Sequence, residues 1–337
     1  MRLSVFNEND EVLLLGEGNF SFTKSLRKYN LKIRITSTCY ETSAINEEAQ
    51  RNIEYLRTQG VSVLLGVDAT KLSEYPLLKS HKFDKIIFNF PHCCSKMRLD
   101  KNRRLLRDFF VSSGESLKSD GQILVTLCNG QGGTLRDVPK RRWDDSWKIR
   151  EMAAHGNFVL TSVESFCEDL FEDYKVTGYR GLDKKFHMNE ALTHFFVKVS
   201  PPVSSDFVPH SILAEQLIFK QSENSENIKW NTVIGTHKLK TDELSPPFFA
   251  FDLTFAIPKI FNEIRLYVVL YNYAGVIIKN VEFVRVYEFP ESNRITRTYR
   301  LIYHSDELPL YRERVIEIHK SVISNLLEEK LDVIVCR

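Results

Sequence analysis

Residues 12 to 23 read Val-Leu-Leu-Leu-Gly-Glu-Gly-Asn-Phe-Ser-Phe-Thr, and few folds accept that order. Consecutive apolar residues suit a strand buried on both faces. They stop at Gly16-Glu17-Gly18, and an amphipathic stretch, Asn19–Tyr29, follows at once. The reading is strand, glycine turn, helix. Glycine lacks Cβ and accepts positive φ, so a ligand can approach such a backbone closely. The free N–H groups of the first helical turn would then face that ligand. A dinucleotide fingerprint needs a third glycine where Ser21 stands, and a phosphate loop needs Gly-Lys-Ser/Thr, which is absent here. A two-glycine turn without lysine suits a nucleoside cofactor with no phosphate to neutralise. A tight turn without a ligand is the alternative.

The first 200 residues continue the same alternation. Strand-like segments at 11–15, 32–39, 61–67, 84–90, 122–128, 158–163 and 194–199 alternate with helix-like stretches at 19–29, 43–59, 99–117 and 146–155. Strands separated by helices imply βαβ units and a doubly wound, mostly parallel sheet. Residues 201–240 change character, with Pro201-Pro202, Ser204-Ser205 and a Gln-Ser-Glu-Asn-Ser-Glu-Asn run, and read as a linker. From 241 to 337 the order is β-α-β-β-α-β, a ferredoxin-like α+β arrangement. The expected organisation is therefore an α/β Rossmann-like domain over 1–200, a linker over 201–240 and a ferredoxin-like domain over 241–337.

Composition excludes several classes. Apolar residues make up 43% and charged residues 27% of the chain, and no apolar run approaches the ~20 residues of a membrane helix. The start, Met-Arg-Leu-Ser-Val-Phe-Asn-Glu-Asn-Asp-Glu, is too acidic and too short for a signal or transit peptide. The six cysteines form no CxxC pair, so reduced thiols and no metal site are expected, in the cytoplasm or the nucleus and nucleolus. Net charge is only +2, yet six cations and one acid fall between Lys96 and Arg107. A local patch of that kind meets a polyanion.

Candidate site residues sit where strands end, the edge at which open α/β sheets bind ligands. Beside Gly16, Glu17, Gly18, Asn19 and Phe20 stands Glu41, whose carboxylate can accept both ribose hydroxyls of a nucleoside. Asp68, followed by Ala69, can accept from an adenine amino group. Singly, Glu41 and Asp68 are more often helix caps than ligands; together with Gly16 and Gly18 at successive strand ends they favour a nucleoside pocket. The fourth strand ends in Asn89-Phe90-Pro91-His92. An Asn amide can grip the edge of a planar base and an aromatic ring can stack on it. Nucleic-acid amino-methyltransferases carry Asn/Asp-Pro-Pro-Tyr/Phe in this place, and the tetrapeptide looks like a variant of it. His92 adds a proton acceptor near neutral pH. Cys93-Cys94 reads as inert thiols or as a nucleophile for pyrimidine addition. Lys96, Arg98, Lys101, Arg103 and Arg104 follow directly as candidate RNA phosphate contacts. Arg141 and Arg142 lie beyond the glycine-rich run at 129–134, which reads as a flexible substrate lid or an ordinary long loop.

These motifs carry a resemblance. Gly16–Phe22, Gly66–Thr70 and Phe88–His92 resemble the Rossmann-like family typified by the yeast 25S ribosomal RNA uridine-N3 methyltransferase. Gln131-Gly132-Gly133, Tyr174–Arg180 and Asp183–His187 look closer to an animal branch that carries a ferredoxin-fold anticodon-binding domain. Pro246-Pro247, Phe251–Phe255 and Arg297–Tyr303 resemble the anticodon-binding domain of phenylalanyl-tRNA synthetase. The resemblance implies an S-adenosyl-L-methionine-dependent RNA methyltransferase, acting on uridine N3 of rRNA. Asn89 would orient the base, Phe90 stack on it and His92 assist deprotonation. RNA, rRNA or tRNA, is the implied partner, with a protein partner possible and no membrane. Two departures stand out: Leu14 occupies the place of an acid that ordinary methyltransferases carry, and residues 241–337 hold 14 acids against 12 cations. They keep open a non-catalytic RNA-binding adaptor; a third reading, a tRNA methyltransferase, rests on the C-terminal domain alone.

Overall fold

A computed structural model describes residues 1–93, 98–177, 188–202, 229–230 and 245–336. The chain divides into two compact units, Met1–Ser200 and Pro201–Arg337. The first is a seven-stranded sheet in the order β3-β2-β1-β4-β5-β7-β6. Its strands are β1 (Glu11–Leu15), β2 (Arg34–Thr38), β3 (Ser62–Leu64), β4 (Phe83–Asn89), β5 (Leu117–Leu127), β6 (Phe158–Ser165) and β7 (Leu192–Lys198). The first five pair parallel, and β7 runs antiparallel between β5 and β6. Strand order reverses between β1 and β4, the switch point at which a crevice opens beyond the strand ends.

Burial explains which segments became strands. Val12 to Leu15 are at most 2% exposed, as expected of a central strand covered on both faces. On one side the core holds Leu13, Leu15, Ile86, Phe88, Leu106 and Phe109; on the other it holds Val12, Leu14, Phe20, Phe22, Ile87 and Leu124. Helices α1 (Ser21–Arg27), α2 (Glu47–Thr58), α3 (Pro76–Lys79), α4 (Leu99–Ser113) and α5 (Ile149–Ala154) fill the connections. The N-cap of α2 is Asn46, whose Oδ1 accepts from Ala49 N–H at 2.8 Å, with Glu47 and Glu48 in the first turn; both features favour a helix start. Six elements, β2, β3, α1, α2, α4 and α5, are shorter than their sequence pattern, and α3 has no sequence counterpart. Strand β3 is confined to Ser62–Leu64 because only Thr36–Thr38 of β2 pair with it.

The second unit is a four-stranded antiparallel sheet, ordered β11-β8-β10-β9. It contains β8 (Phe249–Ala256), α6 (Glu263–Ala274), β9 (Ile278–Phe289), β10 (Arg294–Tyr303), α7 (Arg312–Glu317), a π-helical turn (Ile318–Ile323), α8 (Ser324–Leu331) and β11 (Ile334–Val335). That is the ferredoxin-like order. Its core gathers Leu253, Phe255, Leu266, Tyr267, Tyr299 and Leu327, with Trp230 packed on Tyr267 and Tyr271. The expected linker over 201–240 lies almost wholly outside the described residues, as do Lys96, Cys94 and the 183–187 motif.

Candidate functional site

The turn after β1 takes its shape from two constraints. Gly16 has φ +66°, and a Cβ there would stand 2.5 Å from the Phe88 ring, so only glycine fits. At Gly18 a Cβ would overlap Thr177 Oγ1. The space above Gly18 is therefore filled by the chain itself. Residues 173–177 form a strap along α1. Asp173 N–H donates to Ser25 Oγ at 3.0 Å, and Lys175 N–H donates to Ser21 Oγ at 2.9 Å. Asn19 Nδ2 in turn donates to the Lys175 carbonyl at 3.2 Å.

The helix N–H groups expected to face a ligand are engaged locally instead. Ser21 N–H donates to Asn19 Oδ1 at 3.1 Å, and Thr23 N–H to Glu17 Oε2 at 3.3 Å. Glu17 and Asn19 thus cap α1 from its own turn. Glu17 is 7% exposed, and burial pushes its carboxyl up to about 7, with the Thr23 hydrogen bonds pulling the other way. Phe20, fully buried, has φ +60°. A left-handed bulky residue is strained by ~1–2 kcal/mol and persists only where packing over-determines it.

A second left-handed phenylalanine closes β4. Phe90 has φ +50°, is 6% exposed, and donates its N–H to the Thr126 carbonyl at 2.8 Å. Its ring packs edge-on to Phe166, with centroids 5.9 Å apart, and lies 6.5 Å from Tyr174. The expectation of a ring standing open to a base is not met, because the left-handed turn drives it into the aromatic core. That same turn places Asn89 at the strand end. Its Oδ1 is buried and accepts no hydrogen bond from the described residues. Buried acceptors are nearly always paired, so this orphan is the strongest sign of a ligand group here. Pro91 is buried. His92 Nδ1 lies 2.6 Å from the Cys93 carbonyl, and its ring meets Trp147 edge-on at 6.0 Å.

The two acids sit on neighbouring strand ends. Glu41 is exposed, and nothing among the described residues engages its carboxylate. Its carbonyl accepts from Gly66 N–H at 2.7 Å, tying the ends of β2 and β3 together. Asp68 Oδ1 accepts from Thr70 N–H at 2.9 Å and Thr70 Oγ1 at 2.7 Å; it behaves as a turn former with one oxygen to spare. Ala69 is buried.

The glycine-rich run after β5 differs from a flexible lid. It wraps a buried aspartate, Asp137, which is 3% exposed. Asp137 accepts from Gly130 N–H at 2.8 Å, Gly132 N–H at 3.3 Å, Thr134 N–H at 2.6 Å and Thr134 Oγ1 at 3.0 Å. Backbone N–H groups arranged around one anion are a nest, and here the anion belongs to the chain. Buried His194 lies beside it, and burial holds its ring below the ordinary histidine range.

The basic residues fall into two sets. Arg98, Lys101, Arg104, Arg141 and Arg142 are exposed, and Arg142 pairs with Asp145 at 2.8 Å. Arg103 instead donates to the carbonyls of Asp144 and Ser146, both at 2.6 Å. It bolts α4 to the turn that follows Arg142, which brings the two basic segments onto adjoining elements.

Sequence reading missed Asn102, Asp137, Trp147 and Thr177. Asn102 is fully buried and accepts from Cys93 N–H at 3.1 Å, fixing the backbone just past His92. Its signal was available: Asn102, Leu106, Phe109 and Ser113 share one buried helical stripe. Thr177 lies far from Gly18 in sequence, so no local pattern could have shown it. Among the described residues no helix is long and apolar enough to cross a membrane, and no group of His, Cys, Asp and Glu could hold a metal ion.

Comparison with known proteins adds family context. Residues 13–178 match the model of the BMT5-like family, described as rRNA (uridine-N3-)-methyltransferase BTM5-like. The ferredoxin-fold anticodon-binding domain-containing protein 1 homolog of Mus musculus is 44% identical over 194 residues, covering 56% of this chain and 31% of that protein. The chain thus spans about a third of that relative's length. An uncharacterized protein of Arabidopsis thaliana is 31% identical, with 57% of this chain and 95% of that protein covered. The 25S rRNA (uridine(2634)-N(3))-methyltransferase of Saccharomyces cerevisiae is 22% identical, covering 50% of this chain and 66% of the enzyme.

Proposed function

Through residues 13–178 the chain belongs to the BMT5-like family, and from that membership we propose an S-adenosyl-L-methionine-dependent RNA methyltransferase acting on uridine N3 of rRNA. The observation that carries the reading is Asn89 Oδ1, a buried acceptor without a partner among the described residues, at the sheet's switch point. Gly16, held left-handed against the Phe88 ring, shapes the turn beside the pocket, and the Glu41 carboxylate is open to ribose hydroxyls. Asp68 keeps one oxygen for an exocyclic amine. These residues fit the adenosyl part of S-adenosyl-L-methionine, whose sulfonium would supply an electrophilic methyl and leave as the thioether S-adenosylhomocysteine.

The remaining work belongs to the chain. Uridine N3 carries a proton that must leave before or during transfer. Asn89 Oδ1 orients the base by accepting its N3–H as it docks, an interaction possible for uracil and unavailable with cytosine N3, and releases it when that single proton passes to His92. With Nδ1–H donated to the Cys93 carbonyl, Nε2 is the basic nitrogen of His92 and receives the proton. Asn102, through Cys93, and Trp147, against the ring, hold His92 in place. Positioning of this kind supplies much of the rate in a displacement. Arg98, Lys101, Arg104, Arg141 and Arg142 would take RNA phosphates, a sequence-independent contribution. Substrate in rRNA places the enzyme where ribosomes are assembled, in the nucleus and nucleolus or the cytoplasm.

A non-catalytic RNA-binding adaptor is the second reading, favoured by Thr177 over Gly18 and by Glu17 turned toward Thr23. Calorimetric titration with S-adenosylhomocysteine, alongside methyl transfer to rRNA, separates the two. Asn89→Ala should lower turnover by about 100-fold or more, the scale of removing a positioning or polarising group, while cofactor affinity stays within a few-fold. Unchanged turnover in that variant sinks the assignment of Asn89. Absence of cofactor binding by the wild-type chain favours the adaptor.

A further inference from the structure

Strand β9 forms the outer edge of the C-terminal sheet. One side pairs with β10 along Ile278–Phe289; no strand among the described residues pairs with the other. From Glu282 to Phe289 every residue is exposed. Phe283, Val284, Val286, Tyr287 and Phe289 are 48, 42, 55, 55 and 41% exposed. Natural edges are ordinarily blunted by lysine or other charges, proline, a bulge or a short strand. This twelve-residue strand has neither lysine nor proline from 280 to 289. A bulge at Val284 breaks the register, and beyond it Arg285–Phe289 runs regularly to the strand end.

We propose that this edge is a self-association surface, with β9 of one copy pairing antiparallel to β9 of a second about a two-fold axis at Tyr287. The pairing with Thr298, Thr296 and Arg294 of β10 puts Arg285, Tyr287 and Phe289 on one face. Antiparallel pairing about Tyr287 sets Arg285 of each copy opposite Phe289 of the other, an arrangement for cation–π contact. Tyr287 meets Tyr287, and Val286 meets Glu288. No like charges face each other. Parallel in-register addition would instead set Arg285 beside Arg285 and Glu288 beside Glu288, which repels. The charge pattern thus selects a closed two-fold dimer over an open stack. Main-chain hydrogen bonds supply affinity, and the alternating side chains set the register.

Sedimentation of the 337-residue chain over a concentration series up to about 100 µM tests this, a range that reveals micromolar association. The expected mass doubles with concentration. Val286→Lys, at an exposed position, should weaken association by about tenfold or more while leaving the thermal melt unchanged. Tyr287→Cys in a Cys336→Ser background should form an intermolecular disulfide on mild oxidation, and Glu282→Cys should not. A wild-type chain that stays monomeric overturns the proposal. So does a dimer that survives Val286→Lys, or a Tyr287→Cys chain that fails to cross-link.

Discussion

At the residue scale, the site depends on a few side chains held against their own preferences. Phe20 sits left-handed at the start of α1 and Phe90 at the end of β4, and buried rings keep them there. Glu17 is held in the same way, a carboxyl kept out of water. Its folded value of about 7 exceeds the ordinary 4.5, so the folded chain holds this proton more tightly than the unfolded one. The resulting stability is fully present below about pH 4.5 and is lost as pH rises through about 7. Glu17→Gln stays neutral and cannot lose it. Melting temperatures at about pH 5 and about pH 8 should therefore differ less in the variant than in the parent. An equal difference in both would show that Glu17 is not the group responsible.

At the element scale, two segments do work that their composition hides. The glycine-rich loop after β5 is rigidified by Asp137, not loosened by glycine. Asp137→Ala would leave three buried N–H groups unpaired and should destabilise the chain by about 3 kcal/mol or more, read from denaturant unfolding. A change under about 1 kcal/mol would mean that water replaces the carboxylate. The strap at 173–177 is the second case. Thr177 claims the volume over Gly18, and Lys175 and Asp173 bond to Ser21 and Ser25. Gly18→Ala must displace that strap. Proteolysis around 173–177 should accelerate in the variant, because lost contacts lower the local opening energy.

For the whole molecule, two compact units predict two folding events. Residues 1–200 hold every strand end of the candidate site. A 1–200 fragment should therefore melt cooperatively and bind S-adenosylhomocysteine within a few-fold of the full chain. It should also lose self-association, since β9 lies in the other unit. A fragment that fails to fold would show that the units depend on each other.

Much of this was written locally. The buried run Val12–Leu15, the Gly16 turn, the alternation that builds a doubly wound sheet and the β-α-β-β-α-β order all follow from hydrophobic period and glycine chemistry, which act over neighbouring residues. Asn89 and His92 could be singled out for the same reason, as a strand end closed by Pro91. What lay beyond the sequence is what depends on distant chain segments meeting. That Phe90 turns inward is decided by Phe166 and Tyr174, and that Gly18 must be glycine is decided by Thr177. That Asn89 Oδ1 is buried with no partner among the described residues also depends on how the strand ends pack. Local pattern dictates the elements; the space left between packed elements decides which buried polar atoms find a partner and which do not.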